Sequence, residues 1–513
     1  MDVVLDGQAL RPEQVVALAA GQARLVPGPR MAEVMRPSAE VVAAALDATT
    51  PVYGVTTGFG ALAQTPIPPE DRVALQQALV RSHAAGAGAA LEPETVRAMM
   101  ALRACSLSRG YSGVRPVVVE AICAALGAGI VPWVPEHGSL GASGDLAPLA
   151  HAALVLMGEG WVRLPDGTRG DAAQALAEAG LEPLRLRPKE GLALLNGTDG
   201  MLAQLVLALE TAGRLARTAD VVAAMTLEGL LGTDAVLDER LHRLRPHPGQ
   251  LVSAANMRKL VAGSAIVASH RRSAHLVQDA YSLRCTPQVH GASRDAFAWA
   301  AEVAGRELGS VVDNPVVLAD GSVMSTGNFH GQPLALAADL ARVAAAELGA
   351  LAERRIDRFM DPARSNGLPA FLAPDAGRNS GFMIAHYTTG SLVARHRRLA
   401  APAVADSVST SAGQEDHVSM GWTACRDLRA VLAGVGTVLA VEAMCAATAL
   451  ELRGRDPGMT PGPGSAAALA RLREAVPAMP VDRFVAPDVE TAAELVASGA
   501  LLEAAEGAVG PLT

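Results

Sequence analysis

Aromatic residues make up only 3% of this chain, while half of it is hydrophobic. The core must therefore be built from Ala, Leu and Val, a palette that favours helix. Strand signals are sparse and short. Cysteine is scarce as well. Cys105, Cys123, Cys285, Cys425 and Cys445 are scattered, odd in number and lack metal-ligand spacing, which excludes a disulfide framework and a zinc finger and fits a reducing cytoplasm. No basic cluster interleaved with aromatics occurs, and the formal net charge is -9, which argues against nucleic acid as a partner. The N-terminus shows no charged start followed by an apolar run, so no signal peptide is expected. Internal repeats and low-complexity tails are also missing. One long apolar stretch runs from Ala430 to Val441, broken by Thr437, and continues to Leu450. Glu442 interrupts it, whereas a membrane span needs about 20 predominantly apolar residues. The expectation is a buried helix in a large core or oligomer interface.

What is present organises into two parts. Residues 1–200 alternate short helical segments with Gly/Pro-rich loops, at Tyr53 to Gly60, Pro66 to Pro69 and Pro132 to Gly144. From residue 201 to 513 the helical periods lengthen, and Met201–Leu215, Pro333–Phe359 and Thr423–Leu452 read as long helices. Pro461-Gly462-Pro463-Gly464 marks a break before a C-terminal helical piece. The picture is an all-α body of long helices with a loop-rich N-terminal domain.

The run Gly138 to His151, GSLGASGDLAPLAH, carries the most chemistry. Within Ala142-Ser143-Gly144, the Gly144 nitrogen can attack the Ala142 carbonyl carbon and close a five-membered ring. Loss of one water from the ring, and of the Ser143 hydroxyl as a second, leaves a methylidene-imidazolone. Ser143 supplies the carbon of the exocyclic alkene. Gly144 has no Cβ, so its backbone can approach closely and adopt unusual dihedrals. The plainer alternatives are a turn in which Ser143 or Asp145 caps the following helix, or a weak anion-binding nest. It is not a Walker loop, because no Gly-Lys-Ser/Thr follows.

Five further segments hold polar side chains that packing does not require. Tyr53 sits in the loop Tyr53 to Gly60; it is either an anchor or a base on a closing lid with glycine hinges. His83, in Ser82-His83-Ala84-Ala85-Gly86, reads alone as a structural histidine at a helix end. Asn196-Gly197 is an ordinary turn pair, or an amide placed to support a neighbouring electrophile. Gln278, Tyr281 and Arg284 recur at intervals of three, which on a helix spans an arc of one face. Amide, phenol and guanidinium together suit an amino acid substrate, with arginine as a bidentate carboxylate clamp. Finally, Gly327-Asn328-Phe329-His330 and Gln414-Glu415-Asp416-His417 pair an aromatic with a carboxylate that could accept from an NH-bearing ring.

Taken together, the strings GSLGASGDLAPLAH, YSLRCTPQVHGA, VDNPVV, GNFHG, NSGFMIA and QEDHVSM, in that order of residue types along the chain, resemble the aromatic amino acid ammonia-lyases. SHAAG and QEDHVSM resemble the histidine-acting branch of that family. The resemblance covers nearly the whole chain, from Val52 to Asp488. It implies the all-α fumarase/aspartase-like architecture and non-oxidative deamination of L-histidine to trans-urocanate and ammonia. It implies that Ala142, Ser143 and Gly144 form the methylidene-imidazolone autocatalytically, with no external cofactor and no metal. It implies that Asn196 supports the group, that Tyr53 removes the β-proton and that Arg284 holds the substrate carboxylate. Tyr281 and Gln278 would line the pocket near the electrophile, with Tyr281 as a catalytic residue that assists proton handling; His83 and Glu415 would recognise the imidazole, and Phe329 would pack near the electrophile. It also implies a cytoplasmic homotetramer with shared active sites, acting on a small-molecule amino acid and binding neither nucleic acid nor membrane. The electrophile would capture either the substrate amine or the ring. Two departures from the family pattern, His290 in PQVHGA and Gly413 before QEDH, bear on substrate choice. Tyrosine or phenylalanine ammonia-lyase or a related 2,3-aminomutase is the alternative within the family; a non-catalytic helical assembly protein is the alternative outside it.

Overall fold

A computed structural model describes residues 1–46, 52–271 and 277–513. The chain is predominantly helical, as the low aromatic content and long apolar periods predict. Among the described residues, every sheet is two-stranded and every strand has four residues or fewer. Asp2–Leu5 pairs parallel with Arg24–Pro27; the other three sheets are antiparallel.

Two compact units form. The first contains residues 1–207, 301–338 and 402–426. Segments 301–338 and 402–426, which a division near residue 200 assigns to the helical body, thus cluster with the N-terminal residues. All the strands lie here, with short helices such as Arg72–His83, Pro93–Ser108, Pro116–Gly127 and Leu146–Leu156. Proline opens Pro93–Ser108 and Pro116–Gly127; its missing N–H falls where no intrahelical acceptor exists, and its fixed φ suits the first turn. The helix Pro93–Ser108 is buried on nearly every side, from Thr95 to Ser108 with Arg97 the exception.

The second unit contains residues 208–300, 339–401 and 427–513. Its helices include Pro248–Leu260, Met383–Leu399, Pro463–Ala475, Ala486–Ser498 and Ala500–Val509. The longest helices are Asp199–Gly229, Gln332–Phe359 and Gly421–Arg453, and the unit boundaries after residues 207, 338 and 426 fall inside them. The first runs well past Leu215, where the sequence reading ended it. Gly421–Arg453 is the one helix among the described residues long and apolar enough to cross a membrane, and 78% of its most apolar window is buried. Glu442 within it is fully buried and chelates the Arg355 guanidinium, the behaviour of a core helix rather than a lipid-facing one.

The second unit also settles the place of His290. It lies wholly buried, with Nδ1–H donating to Asp220 Oδ1 at 2.8 Å and Arg355 Nη1 donating to Nε2 at 3.4 Å. Asp220 in turn accepts from Ser253, Asn256 and Arg294. Burial pushes the Asp220 carboxyl up, but Arg294, His290 and Ser253 outweigh it and hold the carboxyl below its ordinary range. Burial lowers the His290 imidazole. His290 is therefore a neutral link in an internal network, which corrects the expectation that it bears on ring recognition.

Candidate active site

The tripeptide loop lies in the first unit and is tied from several directions. The Asp145 N–H donates to Gly197 O at 2.8 Å, and Gly144 bridges Gly197 as in a parallel ladder. Ser419 Oγ donates to Gly141 O at 3.1 Å and Met420 N to Leu140 O at 2.8 Å. Gly144 takes φ +74°, and a Cβ there would sit 2.1 Å from Gly197 O. Glycine is required at this position on both counts.

Asp145 occupies the N-cap position of Leu146–Leu156 but makes no side-chain cap there. Its carboxyl turns instead to Met201 N, 2.8 Å away in the first turn of Asp199–Gly229, and to Ser139 Oγ at 2.9 Å. It satisfies an orphan donor of a different helix. Full burial pushes its carboxyl up to about 7. Burial also raises the neighbouring Asp199 and Glu307 carboxyls. Thr198 Oγ1 donates to Glu307 at 2.6 Å, and Arg103 pairs with Asp199 at 3.0 Å.

Asn196 follows the short helix Glu190–Leu195. Its backbone oxygen accepts from Arg103 Nη1 at 2.8 Å, and its Nδ2 donates to Asn314 O at 3.0 Å. Its Oδ1 is buried and has no partner, a costly state for an amide oxygen. Asn314 is itself fixed: the preceding Asp313 accepts from Lys189 Nζ at 2.6 Å, both side chains wholly buried.

Two cavities of about 660 and 620 Å³ share Tyr53, Gly60, Ser143 and Glu415 as common wall. The first also touches Ala142, Phe329 and His330; the second also touches His83 and Asn196. Tyr53 accepts a hydrogen bond from Gly60 N at 3.1 Å and stands edge-on to Phe59 at 6.4 Å. His83 ends its helix with Nδ1 2.9 Å from Leu79 O, so that nitrogen carries the proton. Burial lowers the His83 imidazole, opposed by the Leu79 carbonyl and Glu415; in the neutral ring Nε2 is left as an acceptor. Glu415 Oε2 accepts from Thr410 Oγ1 at 3.0 Å, and the Ser143 hydroxyl reaches Oε1 only at 3.5 Å, the weak limit of a hydrogen bond.

The Glu415 loop is bent sharply. Ser411, Ala412 and Gly413 have φ of +51°, +53° and +85°. Left-handed conformations cost a non-glycine residue about 1–2 kcal/mol each. At Gly413 a Cβ would meet nothing within 4 Å, so the backbone and not space favours glycine, and asparagine would also tolerate that conformation.

Tyr53, His83, Ala142, Ser143, Asn196, Phe329 and Glu415 are thus brought to one pair of cavities. Gln278, Tyr281 and Arg284 belong to the second unit. Arg284 Nη1 donates to Gln278 Oε1 at 2.7 Å, and its guanidinium lies 4.7 Å from the Tyr281 ring centre. The three do converge, but not along a helix face: the helix is only Tyr281–Arg284, and Gln278 precedes it. The sequence reading passed over Asn314, His330, Gln414 and His417, all of which line the larger cavity. The signal was there, since each stands in VDNPVV, GNFHG or QEDHVSM.

The sequence model for the aromatic amino acid lyases matches residues 10–474. The chain is 52% identical over 511 residues to a histidine ammonia-lyase of Streptomyces griseus, covering 99% of each, and 50% identical to one of Gloeobacter violaceus, covering 99% of this chain and 98% of the relative. Among solved structures, a tyrosine aminomutase from Streptomyces globisporus superposes with a TM-score of 0.95 at 39% identity, covering all of both chains. A histidine ammonia-lyase from Trypanosoma cruzi superposes with a TM-score of 0.90 at 38% identity, covering 99% and 96%.

Proposed function

The chain belongs to the aromatic amino acid lyase family, and from that premise we propose that it deaminates L-histidine non-oxidatively to trans-urocanate and ammonia. The observation that carries this reading is one wall shared by two cavities, on which Ser143, Tyr53 and Glu415 meet, with His83 in the second cavity. A neutral His83 offers a ring nitrogen as acceptor, and Glu415 offers a carboxylate. Both groups accept, so an imidazole N–H donates to one of them and a protonated imidazolium to both, whereas a phenyl ring has no donor for either.

The residues also fit a methylidene-imidazolone derived from Ala142, Ser143 and Gly144. Gly144 has the left-handed backbone and the lack of Cβ that closure asks for, and Asn196 lines a cavity with Ser143 and carries two Nδ2 donors, one of them given to Asn314 O. Once formed, the group supplies an electrophile that ordinary side chains lack. The chain's own residues do the rest. Asn196 fixes and polarises the loop through an amide held on Asn314. Tyr53, its oxygen positioned by Gly60 N, takes the β-proton of the substrate. Arg284, oriented by Gln278 and stacked on Tyr281, clamps the substrate carboxylate. Phe329 packs against the reacting region. The assembly is a cytoplasmic homotetramer in which subunits share active sites, and it needs no metal or added cofactor.

The test is a substrate panel on wild type and Ser143→Ala. Urocanate, coumarate and cinnamate absorb at different wavelengths, and a β-amino acid product would reveal mutase activity. Urocanate should dominate, the intact mass should be lighter than the sequence by two waters, and Ser143→Ala should lose turnover by about 1000-fold or more while keeping its fold. A Ser143→Ala protein with wild-type rates would overturn the electrophile assignment. Coumarate, cinnamate or a β-amino acid as main product would overturn the substrate.

A further inference from the structure

We infer that His330 is a positioning residue for Glu415, acting through the backbone of His417; this rests on the histidine-deaminating reading above. The His330 and His417 rings stack with centroids 5.5 Å apart and planes 28° from parallel. His330 Nε2 lies 3.3 Å from His417 O. A carbonyl only accepts, so Nε2 carries the proton and donates it. Both rings line the larger cavity together with Ser143 and Glu415.

The loop they hold has reason to need holding. Its turn passes through three successive left-handed residues, Ser411, Ala412 and Gly413. Such conformations persist only where surrounding contacts over-determine them. On one side the loop is closed on itself: Thr410 N donates to Glu415 O at 2.9 Å, and Thr410 Oγ1 donates to the Glu415 carboxylate. On the other side Val418 N donates to Ser407 Oγ at 2.9 Å, and the His330–His417 contact ties the chain to Gly327-Asn328-Phe329-His330. Glu415 lies between these ties, two residues from His417. Its own grip on Ser143 is a 3.5 Å contact, too weak to place it. Thr410 Oγ1 orients the carboxylate itself, and the stack and donor hold the backbone from which Glu415 projects. His330 touches neither Ser143 nor Glu415 by hydrogen bond and works at one remove.

Two variants separate the parts of the tie. His330→Phe keeps a flat ring and removes the donor; His330→Gln keeps an N–H donor and removes the ring. Each is studied as full-length protein by amide hydrogen exchange over residues 410–419 and by kcat/KM for L-histidine, in the wild-type and Glu415→Gln backgrounds. His330→Phe should speed exchange in 410–419 by about tenfold and leave 138–151 unchanged. It should lower kcat/KM by about tenfold when Glu415 is present and by less than about twofold in Glu415→Gln, because two residues acting through one group do not add. His330→Gln should recover most of both losses. Unchanged exchange in His330→Phe, or an equal loss in both backgrounds, would overturn the inference. A wild-type protein that does not deaminate histidine would sink the functional reading, and the exchange result would still decide the tie.

Discussion

Two regions of this molecule that bury charge are not alike. In the second unit, Asp220, His290, Arg294, Arg355 and Glu442 form a network in which every oxygen of the two carboxylates accepts from at least one donor. Around the tripeptide loop the burial is just as deep at Asp145, Asn196, Lys189 and Asp313. There, however, Asn196 Oδ1 has no partner, the Ser143 hydroxyl is held at 3.5 Å, and Gly144 sits where a side chain cannot go. Depth of burial does not separate structure from chemistry. The pairing of the acceptors does: carboxylates whose every oxygen is paired have nothing left to offer a ligand, whereas Asn196 and Ser143 keep unspent hydrogen-bonding capacity beside a strained glycine.

The largest expected break comes from Gly144→Ala. Its methyl would lie 2.1 Å from Gly197 O in a left-handed backbone. Turnover should fall about 1000-fold or more, and the intact mass should match the unmodified sequence, with helical circular dichroism retained. Wild-type rates would show that the loop tolerates what the geometry forbids. Next is Glu442→Gln, which leaves the Arg355 guanidinium buried without its counter-ion. It should cost about 3–5 kcal/mol in denaturant unfolding while leaving kcat/KM per folded molecule within about twofold. A loss of turnover at unchanged stability would erase the distinction between the two regions.

The third test uses the sign of pH dependence. Burial pushes the Asp145 carboxyl up to about 7 from an ordinary 3.8. The folded chain then holds a proton that the unfolded chain has released, so the stability Asp145 contributes is full below about 4 and is lost as pH rises through about 7. Asp220 is held below its ordinary range, so its contribution is present above about 4 and is lost only as pH falls further. Asp145→Asn should flatten the decline between pH 4 and 7 by about 4 kcal/mol at most. An unchanged slope, measured by denaturant unfolding across that range, would mean that Asp145 is ionised throughout.

Much of this was legible from residue types alone. The long helices follow from apolar period, whereas the tripeptide alone reads equally as a turn or helix cap, and only the longer motif string and its resemblance to the lyases point to an electrophile. Asn196, Tyr53, His83 and Glu415 stood out as polar groups that packing does not require, yet each alone also reads as a turn, an anchor, a helix end or a solvated loop, and their roles come from the resemblance. What escaped is tertiary. Nothing in the local sequence tells that Asp145 turns from its own helix to Met201, because a cap position looks the same whichever donor it serves. Gln278, spaced by three from Tyr281, suggests a helix that begins only after it. His290 stands in a family motif, and only its partners Asp220 and Arg355, far along the chain, show that it is internal wiring. His330 and His417 were printed within quoted motifs but have meaning only as a pair.

The ties on the tripeptide loop have a further consequence. Gly144 is gripped by Gly197, Leu140 by Met420 and Gly141 by Ser419, partners that follow by tens to hundreds of positions in the chain. A nascent or partly folded polypeptide holds the same alanine, serine and glycine but none of these grips, and in it they are an ordinary peptide. On the proposed reading, reactivity would thereby be a certificate of completed folding: a chain that went astray would carry no electrophile with which to harm its neighbours.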